Sequence, residues 1–465
     1  MALGLTIPSA SGTAALTFKV LGQKASDAAS SFLTYTVLGQ SAGNWATAFS
    51  KDVENNPTVV DLSTGSGVAP GSAVVLNEIF TSQTSPDVYN LSFGGEYLAA
   101  LSGSPITING SAAGGETVVA TAGITWNDDA AGGNNVTFIY GADVFNGSTV
   151  SGAAGDTITG SEGWDTINTG VNNSTVFGGF GHSKITLNDT LTSGVGGVVY
   201  LGDGNSTVYA NGTFDEVVTG VSGQLVVGDS ATSASGSFLD VVIGSKTGSL
   251  SFTGNDTVYA GSGITAVFDS IGGNTIHGGS GALDFIGENR LNAIVGDTIV
   301  AGTGETNIFA ATAENLTFQG ATSAPAIFVT AGSGNETLNG SAAGSQLYFT
   351  DTNTVDSATT NTSITGSNFY NDFNTGTGNE TINAGTGENI FNLTSADGHI
   401  TINDFNLANS FDFVSFGTTA DQNAALASET TDGTNLSLTL NDGTTVTFTG
   451  ISDINAFNSH IIGGS

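Results

Sequence analysis

The sequence predicts an all-β protein, a right-handed parallel β-solenoid of the β-roll or β-helix kind, with an N-terminal β-rich domain and a C-terminal β cap. Three observations predict it. Glycine supplies 68 of 465 residues, a density that costs a helix about 1 kcal/mol per position relative to alanine. From about residue 106 the chain is written in short Val, Ile, Thr and Asn runs, residue types that favour strands or turns, punctuated by glycine. Finally, a strand-turn-strand phrase recurs: GDTITGSEGWDTIN from Gly155, GNSTVYANGTFDEVV from Gly204, GNDTVYAGSGITAVF from Gly254, GDTIVAGTGETNIF from Gly296, GNETLNGSAAGSQLYF from Gly334 and GNETINAGTGENIF from Gly378.

The starts of these copies lie 49, 50, 42, 38 and 44 residues apart, a drift that a solenoid absorbs as insertions on one face. In each copy a Gly-Asp or Gly-Asn turn leads into a Thr-aliphatic step that aims one side chain inward. The expected inward set is Ile158, Ile167, Val176, Val208, Val258, Ile299, Leu338 and Ile382.

Composition divides the chain. Pro8, Pro57, Pro70, Pro86 and Pro105 precede residue 106 and only Pro325 follows, which suggests an N-terminal β-rich assembly domain over 1–105, a solenoid over 106–395 and a cap over 396–465. In the first domain LTFKVLGQ from Leu16 is echoed by LTYTVLGQ from Leu33; both alternate as strands do and are expected to pair or occupy equivalent places. SDAASSF between them reads as a helical turn or a loop, and GEYLAAL near residue 98 as a helix candidate. Leu16, Phe18, Val20, Leu33, Tyr35 and Val37 are the candidate assembly residues, on segments able to extend a neighbour's open sheet edge. The final segment alternates strictly, with a hairpin turn expected at Asn441-Asp442-Gly443.

Forty-one acidic residues face only Lys19, Lys24, Lys51, Lys184, Lys246 and Arg290, for a net charge of −35. Nucleic acid, anionic membrane and polyuronates need clustered cations and are poor partners. No apolar run is long enough for a membrane-spanning helix. The absence of cysteine excludes disulfides and thiolate metal sites. The start, MALGLTIPSASGTAAL, has neither a basic segment nor a long apolar one, so it does not read as a Sec signal peptide; cytoplasmic residence is the plain reading and an exporter that reads the C-terminus, without an N-terminal signal peptide, the sharper one.

The segment from Gly160 to Asn168, GSEGWDTIN, fits the nonapeptide G-G-x-G-x-D-x-U-x except at its second glycine. Glycines there permit turns with positive φ, the aspartate offers an oxygen ligand, and the aliphatic residue fills the core. GGFGHSKIT from Gly178 keeps the frame with Ser183 at the ligand position. With nine residues per half-coil, ligands sharing one ion stand 18 residues apart. Asp165 is thereby matched to Ser183 and Asp156 to Ser174, so the carboxylate is lost where a second is needed. Calcium is expected to be sparse, at Asp156, Asp165 or Asp256, in competition with a turn-capping role for these aspartates.

These segments, with the repeated GNETLN and GNETIN, the tail ITINDFN, FDFVSF and DGTTVTFTG, resemble the RTX or haemolysin-type calcium-binding repeat proteins over about residues 150–465. The frame agrees while several ligand positions depart from it. The resemblance implies type I secretion through a C-terminal signal and a place among toxins, proteases, lipases, adhesins or S-layer proteins.

Catalytic patterns fail. His182, His277, His399 and His460 include no pair four apart and no serine sits in G-x-S-x-G; each histidine reads as a turn or surface residue. Asp128-Asp129 and Asp215-Glu216 read as solvated turn charge, because adjacent strand residues face opposite ways. An ice-binding threonine array requires one motif stacked coil after coil. The copies vary between Thr-Ile-Thr, Thr-Val-Tyr, Thr-Ile-Val, Thr-Leu-Asn and Thr-Ile-Asn, so the array reads as broken. The expectation is a non-enzymatic, secreted, self-assembling structural protein of the cell exterior (S-layer, sheath or filament), with itself as partner. The alternative is a calcium-dependent adhesin or a module binding a cell-surface polysaccharide.

Overall fold

The computed structural model describes residues 105–120, 123–128, 131–189, 196–202, 204–220, 224–228, 238–243, 255–269, 272–287, 296–310, 315–321, 326–331, 334–340, 346–351, 361–395 and 398–463. Before residue 105 it describes 3–8, 15–20, 45–46, 59–61, 73–78, 87–91 and 97–102. The chain divides into two compact units, 1–240 and 241–465. Each is a parallel β-solenoid in which successive strands alternate between two sheets. The return to the same sheet is the crossover that L-residues make right-handed.

In the first unit, sheet A stacks the strands Ile106–Asn109, Ile124–Asn127, Val144–Asn146, Trp164–Asn168, His182–Leu187, Thr207–Ala210 and Leu225–Gly228, all parallel. Sheet B stacks Thr117–Ala120, Asn135–Phe138, Thr157–Thr159, Thr175–Phe177, Val198–Tyr200 and Phe214–Val218. The register aligns Ile108, Trp126, Phe145, Ile167, Ile185, Val208 and Val226 on the inside of sheet A, all fully buried. Val118, Val136, Ile158, Val176, Val199 and Val217 form the facing column of sheet B. A large side chain at one coil, such as Trp126, is thus sandwiched between neighbours one coil away.

The second unit repeats the plan. Sheet C runs from Thr257–Tyr259 through Thr275–His277, Asp297–Val300, Leu316–Gln319, Glu336–Asn339, Asn361–Thr365, Asn379–Asn383 and His399–Asn403 to Thr445–Phe448. Sheet D runs from Ile264–Asp269 through Leu283–Gly287, Thr306–Ala310, Ala326–Ala331, Gln346–Asp351, Tyr370–Asn374 and Glu388–Leu393 to Phe413–Phe416. All eight expected inward aliphatics are buried, none more than 1% exposed.

The repeat itself is one coil, not two. Thr257 pairs with Thr275 and Asn361 with Asn379 at the 18-residue spacing, and other coils are longer. The phrases recognised in the second unit mark every second coil, and less similar coils lie between. The copy from Gly155 is also out of phase: its TIT strand lies in sheet B, whereas the TVY and TLN strands of later copies belong to the sheet-A or sheet-C series.

Parallel pairing crosses both expected boundaries. Asp87–Asn90 pairs in parallel with Ile106–Asn109, and Ala73–Glu78 with Tyr97–Ser102, so solenoid pairing passes through residue 106. The helix candidate at GEYLAAL is the strand Tyr97–Ser102; parallel pairing on both sides overrides its weak helical preference. Leu16, Phe18 and Val20 lie on the strand Ala15–Val20, which pairs antiparallel with Leu3–Pro8. Leu33, Tyr35 and Val37, and the segment between the two echoes, lie outside the described residues.

Parallel pairing also continues past 396, to Phe413–Phe416 and Thr445–Phe448. The expected hairpin follows: Leu436–Thr439 runs antiparallel to Thr445–Phe448, with Gly443 at φ 103°. Two helices that the sequence reading missed complete the cap, Thr419–Ser428, capped by Thr418, and Ile454–Asn458, capped by Asp453. Ile461 bridges Val414 at the last strand of sheet D. Phe405 packs against Phe391, Phe448, Phe457 and His460 at centroid distances of 5.3–5.8 Å and plugs the interior.

Candidate functional site

Where each coil turns into a strand, a polar side chain points inward and bonds the backbone of the coil before it. At the sheet-B corner the Asn134 side chain accepts the Glu116 N–H (2.9 Å), Asp156 accepts that of Asn134 (2.8 Å), and the Ser174 hydroxyl accepts that of Asp156 (3.1 Å). At the sheet-A corner Asp143 accepts the Ile124 N–H (2.8 Å), Asp165 that of Asp143 (3.2 Å), Ser206 that of Ser183 and Gln224 that of Ser206. The second unit continues the device at Asp256, Asn274 and Asp297; at Asn371, Asn389 and Asp412 the bonds join side chains, the amide of Asn371 donating to Asn389 and that of Asn389 to Asp412. These ladders satisfy corner amides that have no strand partner.

Placing acids here has an electrostatic consequence. Glu116, Asp143, Asp165, Asp215 and Glu380 are each at most 2% exposed. Burial pushes the Asp143 carboxyl up to about 7, with the charge of Asp165 adding to the shift. Burial likewise raises Glu380 to about 8. Asp156 is raised by burial and by Asp128, and Asp215 by burial and its hydrogen bond with Asp189. The second oxygens of Glu116, Asp143 and Glu380 are buried without a hydrogen-bond partner, in keeping with the burial that raises all three carboxyls.

The three calcium candidates are held in this scheme. Asp165 accepts from the Ser161 backbone and hydroxyl as well as from Asp143, closing its own turn. Asp156 accepts from the Asn134 backbone and side chain. Asp256 is buried, its N–H donating to the Asn274 side chain. Asp156 and Asp165 serve opposite sheets, and the structure does not bring them together. Among the described residues no group of three or more His, Cys, Asp or Glu could hold a metal ion. The 18-residue pairing of Asp165 with Ser183 is present as a strand register.

Other residues depart from the sequence reading. Asp215 is buried, not solvated, while Glu216 faces outward. His460 is a buried cap residue whose ring nitrogens contact the Asp412 and Leu407 carbonyls. Sequence reasoning also missed Glu116, Asp143 and Glu380. The available signal was a polar residue at the strand entrance one coil from a recognised copy, as Asp143 stands 22 residues before Asp165.

The outer faces are ordered too. On sheet A, Asn90, Asn109, Asn127, Asn146 and Asn168 form a chain of amide bonds of 2.6–3.0 Å, one per coil. On sheet C, Thr257, Thr275, Thr298, Thr317 and Thr337 stack in register, followed by Ser363, Thr381, Thr401 and Thr447. The threonine array read as broken therefore runs on along this face with Ser363 as its one interruption: the first Thr of each phrase in the second unit stacks, and intervening coils supply the rest. Compared with known proteins, the chain matches no family model, no curated protein and no solved structure.

Proposed function

We propose that this chain is a secreted, self-assembling structural protein of the bacterial cell exterior, a subunit of an S-layer, sheath or extracellular filament, without enzymatic activity. The observation that carries this reading is the use made of its buried polar side chains. Chemistry-bearing acids and amides at the coil corners are committed to neighbouring coils, the arrangement of a scaffold whose side chains maintain register.

The RTX-like frame supports export by a type I route with a C-terminal signal, and on this reading any calcium is sparse. Assembly is assigned to the N-terminal segments. The C-terminal end supports this choice, because Val414 on the last strand of sheet D exchanges backbone bonds with His460 and Ile462, and the antiparallel hairpin ends sheet C. An edge covered in this way resists further strand addition. Negative-stain microscopy of washed cells, with antibody-gold labelling of this protein, is the test. Labelled lattice or filament supports the proposal, and label confined to the cytoplasm overturns it.

A further inference from the structure

The outer face of sheet C carries an unexpected absence of charge. In a chain with 41 acidic residues, none of its described strands presents Asp, Glu, Lys or Arg outward. The acids on those strands, Asp297, Glu336 and Glu380, all point inward and are 1–2% exposed. What remains outside is the threonine column from Thr257 to Thr447, bordered on one side by Tyr259, His277 and Val300 before the amides begin at Gln319, with Thr365 and His399 among the bordering residues of later coils. On the opposite side Asn335, Asn361 and Asn379 each donate to the amide one coil back (3.2–3.5 Å). On the first side, Asn339 donates to Gln319 (2.9 Å) and Asn403 to Asn383 (2.9 Å).

Parallel stacking repeats these groups about every 4.8 Å along the column, and the bordering columns stand about 6.6 Å to either side. β-Branching restricts the threonine side chains, and the amide bonds restrict their neighbours. The face therefore offers a fixed array of methyl and hydroxyl groups, with no outward Asp, Glu, Lys or Arg on its described strands to organise a competing hydration shell. Its partner must be uncharged and periodic. The repeat along the column is close to the oxygen repeat along the a axis of hexagonal ice.

We propose that the outer face of sheet C binds ice. A second copy of the chain is not needed as occupant, because assembly is assigned above to the N-terminal segments and not to this face. A neutral polysaccharide lacks the rigid match in both directions. The inference does not rest on the assembly reading, since a monomer would bind ice equally.

The test measures thermal hysteresis, and uptake of fluorescently labelled full chain into a growing ice hemisphere. The wild type is expected to show a freezing gap and to label particular ice planes. Thr317→Lys/Thr337→Lys, which places charge on two exposed positions, should lose activity at least about tenfold. Thr317→Val/Thr337→Val keeps the shape and β propensity should the lysine pair misfold, and it should be weakened. Phe309→Lys, on the outer face of sheet D, should match the wild type. Folded wild-type protein that is excluded from ice overturns the proposal. So does undiminished activity in both threonine variants, or a threonine variant whose sole change is in self-association or in binding to regenerated cellulose.

Discussion

Raising the pH from 5 to 7 should destabilise both units. Asp143 titrates near its ordinary value in the unfolded chain, but at about 7 in the fold, where burial and Asp165 oppose ionisation. Below its unfolded value the carboxyl is protonated in both states and folding is unpenalised. As pH rises the unfolded chain releases the proton first, so stability falls until the folded value is passed. Between pH 5 and 7 this amounts to about 2 kcal/mol for Asp143, taking 1.36 kcal/mol per unit and half-ionisation at the upper limit. Glu380, at about 8 in the fold, imposes a similar loss of about 2 kcal/mol on the second unit. In a unit of this size that lowers the melting midpoint by roughly 4–8 °C. General repulsion at −35 acts in the same direction, so Asp143→Asn isolates the local effect. Its amide oxygen can keep the bond from the Ile124 N–H, and it does not ionise. Calorimetry at both pH values should show the first unit's pH dependence reduced by about 2 kcal/mol in this variant. An equal slope in wild type and variant, or a wild type more stable at pH 7, would refute the argument.

Phe391, buried between Phe373 and Phe405, should lose about 3–5 kcal/mol on Phe391→Ala, read as the urea midpoint of the second unit. Gly163→Ala would place a Cβ 1.5 Å from the Gly141 carbonyl oxygen one coil away; a loss of at least about 1–3 kcal/mol is expected, and unchanged stability would show the coils less tightly stacked. Deleting residues 1–40 should leave a folded, soluble monomer by sedimentation velocity, whereas assembly at the wild-type level would remove the N-terminal segments from the interface. Dialysis against EGTA should leave the β circular-dichroism signal in place, with few calcium ions regained by calorimetric titration; collapse on chelation would contradict the sparse-calcium reading.

The fold was legible where local chemistry repeats. A Gly-Asx turn and a Thr-aliphatic step suffice to place Ile158 or Ile382 inward, because a strand has only two faces. The 18-residue frame likewise anticipates the pairing of Asp165 with Ser183. Legibility failed where tertiary stacking outweighs local pattern. Tyr97–Ser102 has helix-compatible residues but lies between two parallel strands. Coils of 20–26 residues hide from a search for identical phrases, so the array on sheet C looked broken although Ser363 is its sole departure from threonine.

At the candidate site, carboxyl burial escaped notice because an acid at a strand entrance resembles a solvated turn residue until the preceding coil supplies an amide to it. The glycines of GSEGWDTIN illustrate the same point. Gly163 is required by the approach of Gly141, whereas Gly179 in the next coil takes a positive φ of 73°.

The central claim, a scaffold assembled outside the cell, is met most directly by immunogold negative-stain microscopy of washed cells that produce the full chain. Gold should decorate an extracellular lattice or filament and vanish with it when the gene is removed. An unlabelled cell surface, with the protein retained inside as a monomer, would contradict the account.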